Sequence, residues 1–139
     1  MTVKVNVKQL GKRIYSIEPI DFPLDRRPET AGELICAAVR TSVKQYNERR
    51  KRTETGMPLD EETENAYEKA GKIAFGLPFS EKEADAETAQ QTALSAYRDG
   101  LFRMFIGDEE VEDENARIEL TEQSEVTFIR LAMLAGRMW

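Results

Sequence analysis

The apolar residues of this chain change their spacing twice along its length, and that switching constrains the fold more than any single motif does. Val3, Val5 and Val7 fall on one side of an extended segment with Lys4, Asn6 and Lys8 on the other, the pattern of a strand with one buried face. Gln9-Leu10-Gly11-Lys12 supplies a short connection, after which Arg13 to Glu18 resumes a β-branched and aromatic pattern. The two segments are expected to form a hairpin, ended by Pro19 and Pro23. From Thr30 the spacing becomes helical: Leu34, Ile35, Ala38, Val39, Ser42, Val43 and Tyr46 make one stripe on a helix running to about Arg52. Thr30 and Glu33 have capping-box spacing, in which the hydroxyl accepts from the Glu33 amide and the carboxylate reaches back to the Thr30 amide.

Thr53 to Leu59 reads as a loop, and Asp60 to Ala70 as a short acidic helix stopped by Gly71. Ile73 to Phe79 is apolar but broken by Gly76 and Pro78, so a buried connector is expected there. Ser80-Glu81-Lys82-Glu83 is a second capping box, placed before Ala86, Ala89, Ala93, Leu94 and Tyr97 on a third helix that ends near Gly100. Strand patterns then return: Phe102 to Ile106, a Gly107-Asp108 turn, a short extended Glu109 to Val111, Arg117 to Leu120, and Glu125 to Leu131. With 139 residues, 40% of them apolar, the chain has the material for one core and one α+β domain spanning residues 1–139.

The opening Val3 to Ile17 resembles the first hairpin of the β-grasp, or ubiquitin-like, superfamily, and Thr30 to Ile35 resembles the start of the helix that crosses its sheet. Gly107-Asp108-Glu109-Glu110-Val111, Ile118-Glu119-Leu120, Ser124 to Ile129 and Leu134-Ala135-Gly136 are similar to the end of small sulfur carriers such as the molybdopterin synthase small subunit. The resemblance implies a mixed sheet of four to five strands crossed by the long helix. The first and last strands would be parallel at its centre, and a helical insertion would occupy about 53–100. The carriers end in Gly-Gly, whose terminal carboxylate is activated. Here Gly136 matches the first glycine and Arg137 stands in place of the second, so carrier or modifier chemistry would require trimming after Gly136.

Charge is divided unevenly. Residues 1–52 hold 12 Lys+Arg against 6 Asp+Glu and residues 53–139 hold 8 against 20, giving +6 and -12 within the overall -6. The cations gather at the end of the long helix, at Arg40, Lys44, Arg49, Arg50, Lys51 and Arg52. Clustered cations can hold phosphate, but the acidic remainder of the chain and the absence of aromatics among Arg49 to Arg52 favour a solvated helix end that complements the macrodipole. The acidic run Asp108 to Glu114 lacks the spacing of a calcium loop and reads as a solvated hairpin.

Catalysis finds little support. The chain has no histidine and one cysteine, Cys36, set inside the long helix without a neighbouring base, and no glycine-rich phosphate loop. No cofactor or metal is expected. No apolar run is long enough for a bilayer, and the N-terminus alternates where a signal peptide would be continuous, so a cytoplasmic protein is expected. The leading expectation is a non-catalytic ubiquitin-like protein-interaction module of the bacterial kind. The alternatives are a C-terminally processed carrier and, third, a weak nucleic-acid binder. Contact with a protein partner is expected through the sheet face, the basic residues Arg49, Arg50 and Arg52, and the apolar tail residues Met133, Leu134, Gly136, Met138 and Trp139.

Overall fold

A computed structural model describes residues 1–10, 15–54, 66–79 and 83–131, without the side chains of 15–18 and 52–54. Five strands and three helices run in the order β1 (Thr2–Leu10), β2 (Tyr15–Pro23), α1 (Ala31–Glu54), α2 (Ala66–Phe75), α3 (Ala86–Arg98), β3 (Phe102–Ile106), β4 (Glu109–Val111) and β5 (Glu125–Leu131). The strands form one mixed sheet in the order β2-β1-β5-β3-β4. β1 and β5 are parallel, with Val5 opposite Val126 and Val7 opposite Phe128, and the other pairings are antiparallel. The fold is α+β.

The alternating pattern of the sequence is realised in the sheet. Val3, Val5, Val7, Phe22, Phe102, Met104, Val126 and Phe128 are all almost fully buried on one face, where every helix contributes to the same core. Phe75 of α2 meets Phe102 and Phe128 edge-on, with ring centroids 5.3 and 5.0 Å apart. Such pairs each add about 0.5–1.5 kcal/mol beyond their buried area. Between α1 and β3, α2 therefore packs on the sheet. α1 is buried on more than one side, since the consecutive Ala37, Ala38 and Val39 are all inaccessible.

Several local expectations are corrected. β2 continues through Pro19 to Pro23: Val5 pairs with Ile20 and Val7 with Ile17, so Glu18 and Pro19 together face Asn6 in a bulge. An edge strand tolerates proline at such a point, where no ladder donor is required. Gly71 lies inside α2 and does not stop it. A Cβ there would stand 2.8 Å from the Ser42 Cβ, so the glycine is a packing contact between α1 and α2. Ile73 to Phe75 belong to that helix, which ends at Gly76 with φ 69°, a left-handed backbone suited to glycine. Leu77 is buried and Phe79 stacks on Tyr46 at 4.5 Å, as a buried connector requires.

α3 begins after Asp85, whose carboxylate accepts from the Thr88 amide at 3.0 Å. Ser80 to Lys82 of the second capping box, and residues 60–65 of the expected acidic helix, lie outside the described residues. At α1 the Thr30 hydroxyl accepts from the Glu33 amide as expected, but the Glu33 carboxylate accepts from the Glu29 amide. The cause is Arg117 to Leu120, which forms no strand. Arg117 bridges Thr30, while the Ala31 and Gly32 amides donate to the Ala116 and Glu114 carbonyls. The first amides of α1 are satisfied by a neighbouring segment and a hydroxyl, leaving none of Ala31, Gly32 or Glu33 without an acceptor.

Candidate interaction surface

Because side chains alternate across a strand, burying one face of the sheet defines the composition of the other. The outer face carries Lys4, Asn6, Lys8 and Leu10 of β1, Glu125, Thr127, Ile129 and Leu131 of β5, Arg103 and Phe105 of β3, and Glu110 of β4. Across the strands, Lys8, Ile129 and Arg103 form one row, and Asn6, Thr127, Phe105 and Glu110 form the next. Ile129 and Phe105 are diagonal neighbours, and Leu131 with Leu10 extends the apolar strip toward one end.

Polar neighbours fix the ground around this strip. The Asn6 amide donates to Glu125 Oε1 at 2.5 Å, Lys4 pairs with Asp21 at 3.4 Å, and Arg103 pairs with Glu110 at 3.8 Å. Lys8 is exposed and has no carboxylate partner among the described residues. Phe105, Ile129, Leu131 and Leu10 are each only half-buried. No described helix lies over them, since all three contribute to the core on the opposite face. A strip of apolar side chains next to a lysine with no carboxylate partner among the described residues can bury against an apolar segment carrying an acidic group.

The basic end of α1 does not assemble as one patch. Arg49 is 7% exposed and its Nε lies 2.8 Å from both oxygens of Glu68, which is fully buried in α2. Its expected role as a surface contact is thereby corrected: the guanidinium is used to neutralise an interior carboxylate. Arg40 is committed to Asp25 in a two-pronged contact and holds that carboxyl below its usual range. Arg50 is half-buried, and Lys44 and Lys51 are exposed. The side chain of Arg52, and Met133, Leu134, Gly136, Met138 and Trp139, lie outside what is described.

Cys36 is half-buried in a cleft of about 340 Å³ shared with Arg40, Glu33, Gln90 and Glu114. Burial, with the nearby Glu114 and Glu33 charges in support, outweighs the Arg40 cation and pushes its thiol up, away from a reactive thiolate. In the acidic run, Glu114 is held by Arg98, whose Nη2 donates at 2.9 Å and which lowers the Glu114 pKa. Asp108 to Glu110 are exposed.

Sequence reasoning missed two features. Glu68 gave no sign of burial because its partner is 19 residues away in sequence. Arg130 is an arginine at a core-facing position of β5, in step with Val126 and Phe128, and that parity was a usable signal. Compared with known proteins, the chain matches no family model, no curated protein and no solved structure.

Proposed function

We propose that this chain is a β-grasp, ubiquitin-like module that binds another protein and does no chemistry of its own. Supporting the fold reading are parallel β1 and β5 inside a five-stranded sheet and a long helix following the first hairpin. The observation that carries the functional reading is an outer face that no described helix covers, with Leu10, Leu131, Ile129 and Phe105 half-buried beside Lys8 and Arg103. The occupant that suits it is an apolar segment flanked by acidic residues. Its apolar side chains would cover the strip while a carboxylate faces Lys8. A nucleic-acid role has less support than the sequence offered, because Arg49 is spent on Glu68.

The test is capture of partners from the native host with the unaltered protein, with Ile129→Asp and with Lys8→Glu, the melting transition of each variant being recorded alongside. A stoichiometric partner lost with both variants, while their folding transitions persist, is the expected result. A partner retained by both moves the interface elsewhere. The intact mass of the captured protein decides the alternative: a chain trimmed after Gly136, or carrying added sulfur or an amine, makes it a processed carrier.

A further inference from the structure

Arg130 enters the molecule from β5 on the helical side of the sheet, at the parity of Val126 and Phe128. Its Nη1 donates to the Ala74 carbonyl at 3.2 Å, at the end of α2. Among the described residues it has no other hydrogen bond and no carboxylate within ion-pair distance. Gly76 lies against it. A Cβ on Gly76 would lie 3.0 Å from both terminal guanidinium nitrogens, so a side chain there would require the guanidinium to shift by a few tenths of an ångström.

A guanidinium presents five N–H donors in a planar fork, and a single carbonyl leaves most of them unspent. Taking such a group partly out of water without a counter-charge is unfavourable. Arg130 is affected in that way, for burial lowers its pKa from the ordinary arginine value.

The unspent donors belong to a cleft of about 480 Å³ between α3, the end of α2 and β5. Its α3 wall is Thr88, Gln91, Thr92 and Ser95, at the i, i+3, i+4 and i+7 positions of one helical face. The Thr88 and Thr92 hydroxyls already donate to Asp85 and to the Thr88 carbonyl, so the Gln91 amide and the Ser95 hydroxyl are the donors it offers a carboxylate. Asp99 stands at the end of that wall, where it would oppose a ligand of high negative charge. A singly charged carboxylate is planar and matches the guanidinium fork with two parallel hydrogen bonds.

We propose that the Arg130 cleft is a binding site for a small carboxylate ligand, held by the guanidinium and oriented by the hydroxyl and amide wall of α3. This site is on the opposite side of the sheet from the outer face and does not depend on the interaction reading.

The test uses the full chain, labelled with ¹⁵N and titrated with sodium acetate, with sodium chloride at matched ionic strength as reference. The expected result is a saturable shift of the Arg130 Nε–Hε resonance and of the Gly76 and Thr92 amides in acetate, absent in chloride. Arg130→Lys keeps a cation near the Ala74 carbonyl but removes the fork, and is expected to weaken acetate binding about tenfold. Thr92→Glu changes only the exposed wall and supplies an internal carboxylate, so acetate should no longer compete. Equal shifts in chloride, no saturable shift in acetate, or unchanged acetate affinity in Thr92→Glu would each overturn the proposal. If Arg130→Lys fails to fold, the Thr92→Glu comparison still decides it. Inorganic phosphate binding as well as acetate would reject the carboxylate preference.

Discussion

The two ends of α2 are both gripped by an arginine from another element, yet the grips differ in kind. Near the start, Arg49 from α1 meets the fully buried Glu68 with three contacts of 2.8 Å. At the end, the one hydrogen bond of Arg130 from β5 among the described residues goes to the Ala74 carbonyl. Both fit the helix dipole, with an acidic residue in the first turn and a cation beside the last carbonyls. The first contact joins opposite charges in the interior and must be kept complete, whereas the second sets a cation beside a neutral dipole and leaves it capacity for something else. Within one helix, an inserted segment is fastened at one end and left chemically available at the other.

That contrast is best broken at Glu68. Truncating Arg49→Ala or Glu68→Ala removes one member of a buried ion pair and should cost about 3–5 kcal/mol in urea unfolding. The pair Arg49→Met with Glu68→Leu should recover most of that loss, because apolar residues of similar volume often replace an interior ion pair without penalty. Gly76→Ala should come next, at about 1–2 kcal/mol, since the positive φ disfavours a side chain and the new Cβ meets the Arg130 guanidinium at 3.0 Å. Arg130→Met should cost about 1 kcal/mol, the worth of a cation and one hydrogen bond at a helix end. Amide hydrogen exchange would sharpen the comparison: faster exchange near Gly76 with Arg130→Met, and across the whole of α2 with Glu68→Ala.

A smaller effect, remote from α2, serves as a control on the same transition. The Tyr97 hydroxyl donates to the Val111 carbonyl at 2.5 Å. Burial first, and then the charges of Asp113, Glu110, Glu112 and Glu114, push its pKa up from 10.0 to about 12. The folded chain therefore retains the phenolic proton at a pH where the unfolded chain releases it. The associated stability is complete below pH 10 and lost as pH rises toward about 12. Tyr97→Phe should lower stability by about 1 kcal/mol near neutrality, and the gap from the unaltered protein should close across that window.

Much of the strand arrangement was legible, because alternation is a local signal. Val3, Val5 and Val7 announce their face without reference to any other segment, and Glu125 to Leu131 do the same. The long α1 and its Thr30 hydroxyl cap were legible for the same reason. What failed were readings in which a single residue type stood for a structural role. Gly71 was read as a stop because glycine ends helices, but Ser42, distant in sequence, requires the space. Pro19 was read as a strand end, whereas an edge strand with a bulge accommodates it. Arg117 to Leu120 carries a strand composition, but its backbone is engaged by the start of α1. The outer face was open to inference from Phe105 and Ile129, apolar residues at outward parity. The Arg49 to Glu68 pair was not, since nothing local separates a buried charge from a solvated one.

The parallel pairing of β1 with β5 also sets a schedule for synthesis. β1 emerges from a ribosome well before its inner neighbour, which spans residues 125–131. Until β5 is available, Val3, Val5 and Val7 can pair only with β2, and the sheet cannot close. The nascent chain must carry an unfinished apolar hairpin until residues 125–131 follow, a period in which such surfaces are prone to association. Long-range closure of this kind favours slow folding, and it makes the arrival of β5 the event that completes the pairing of β1.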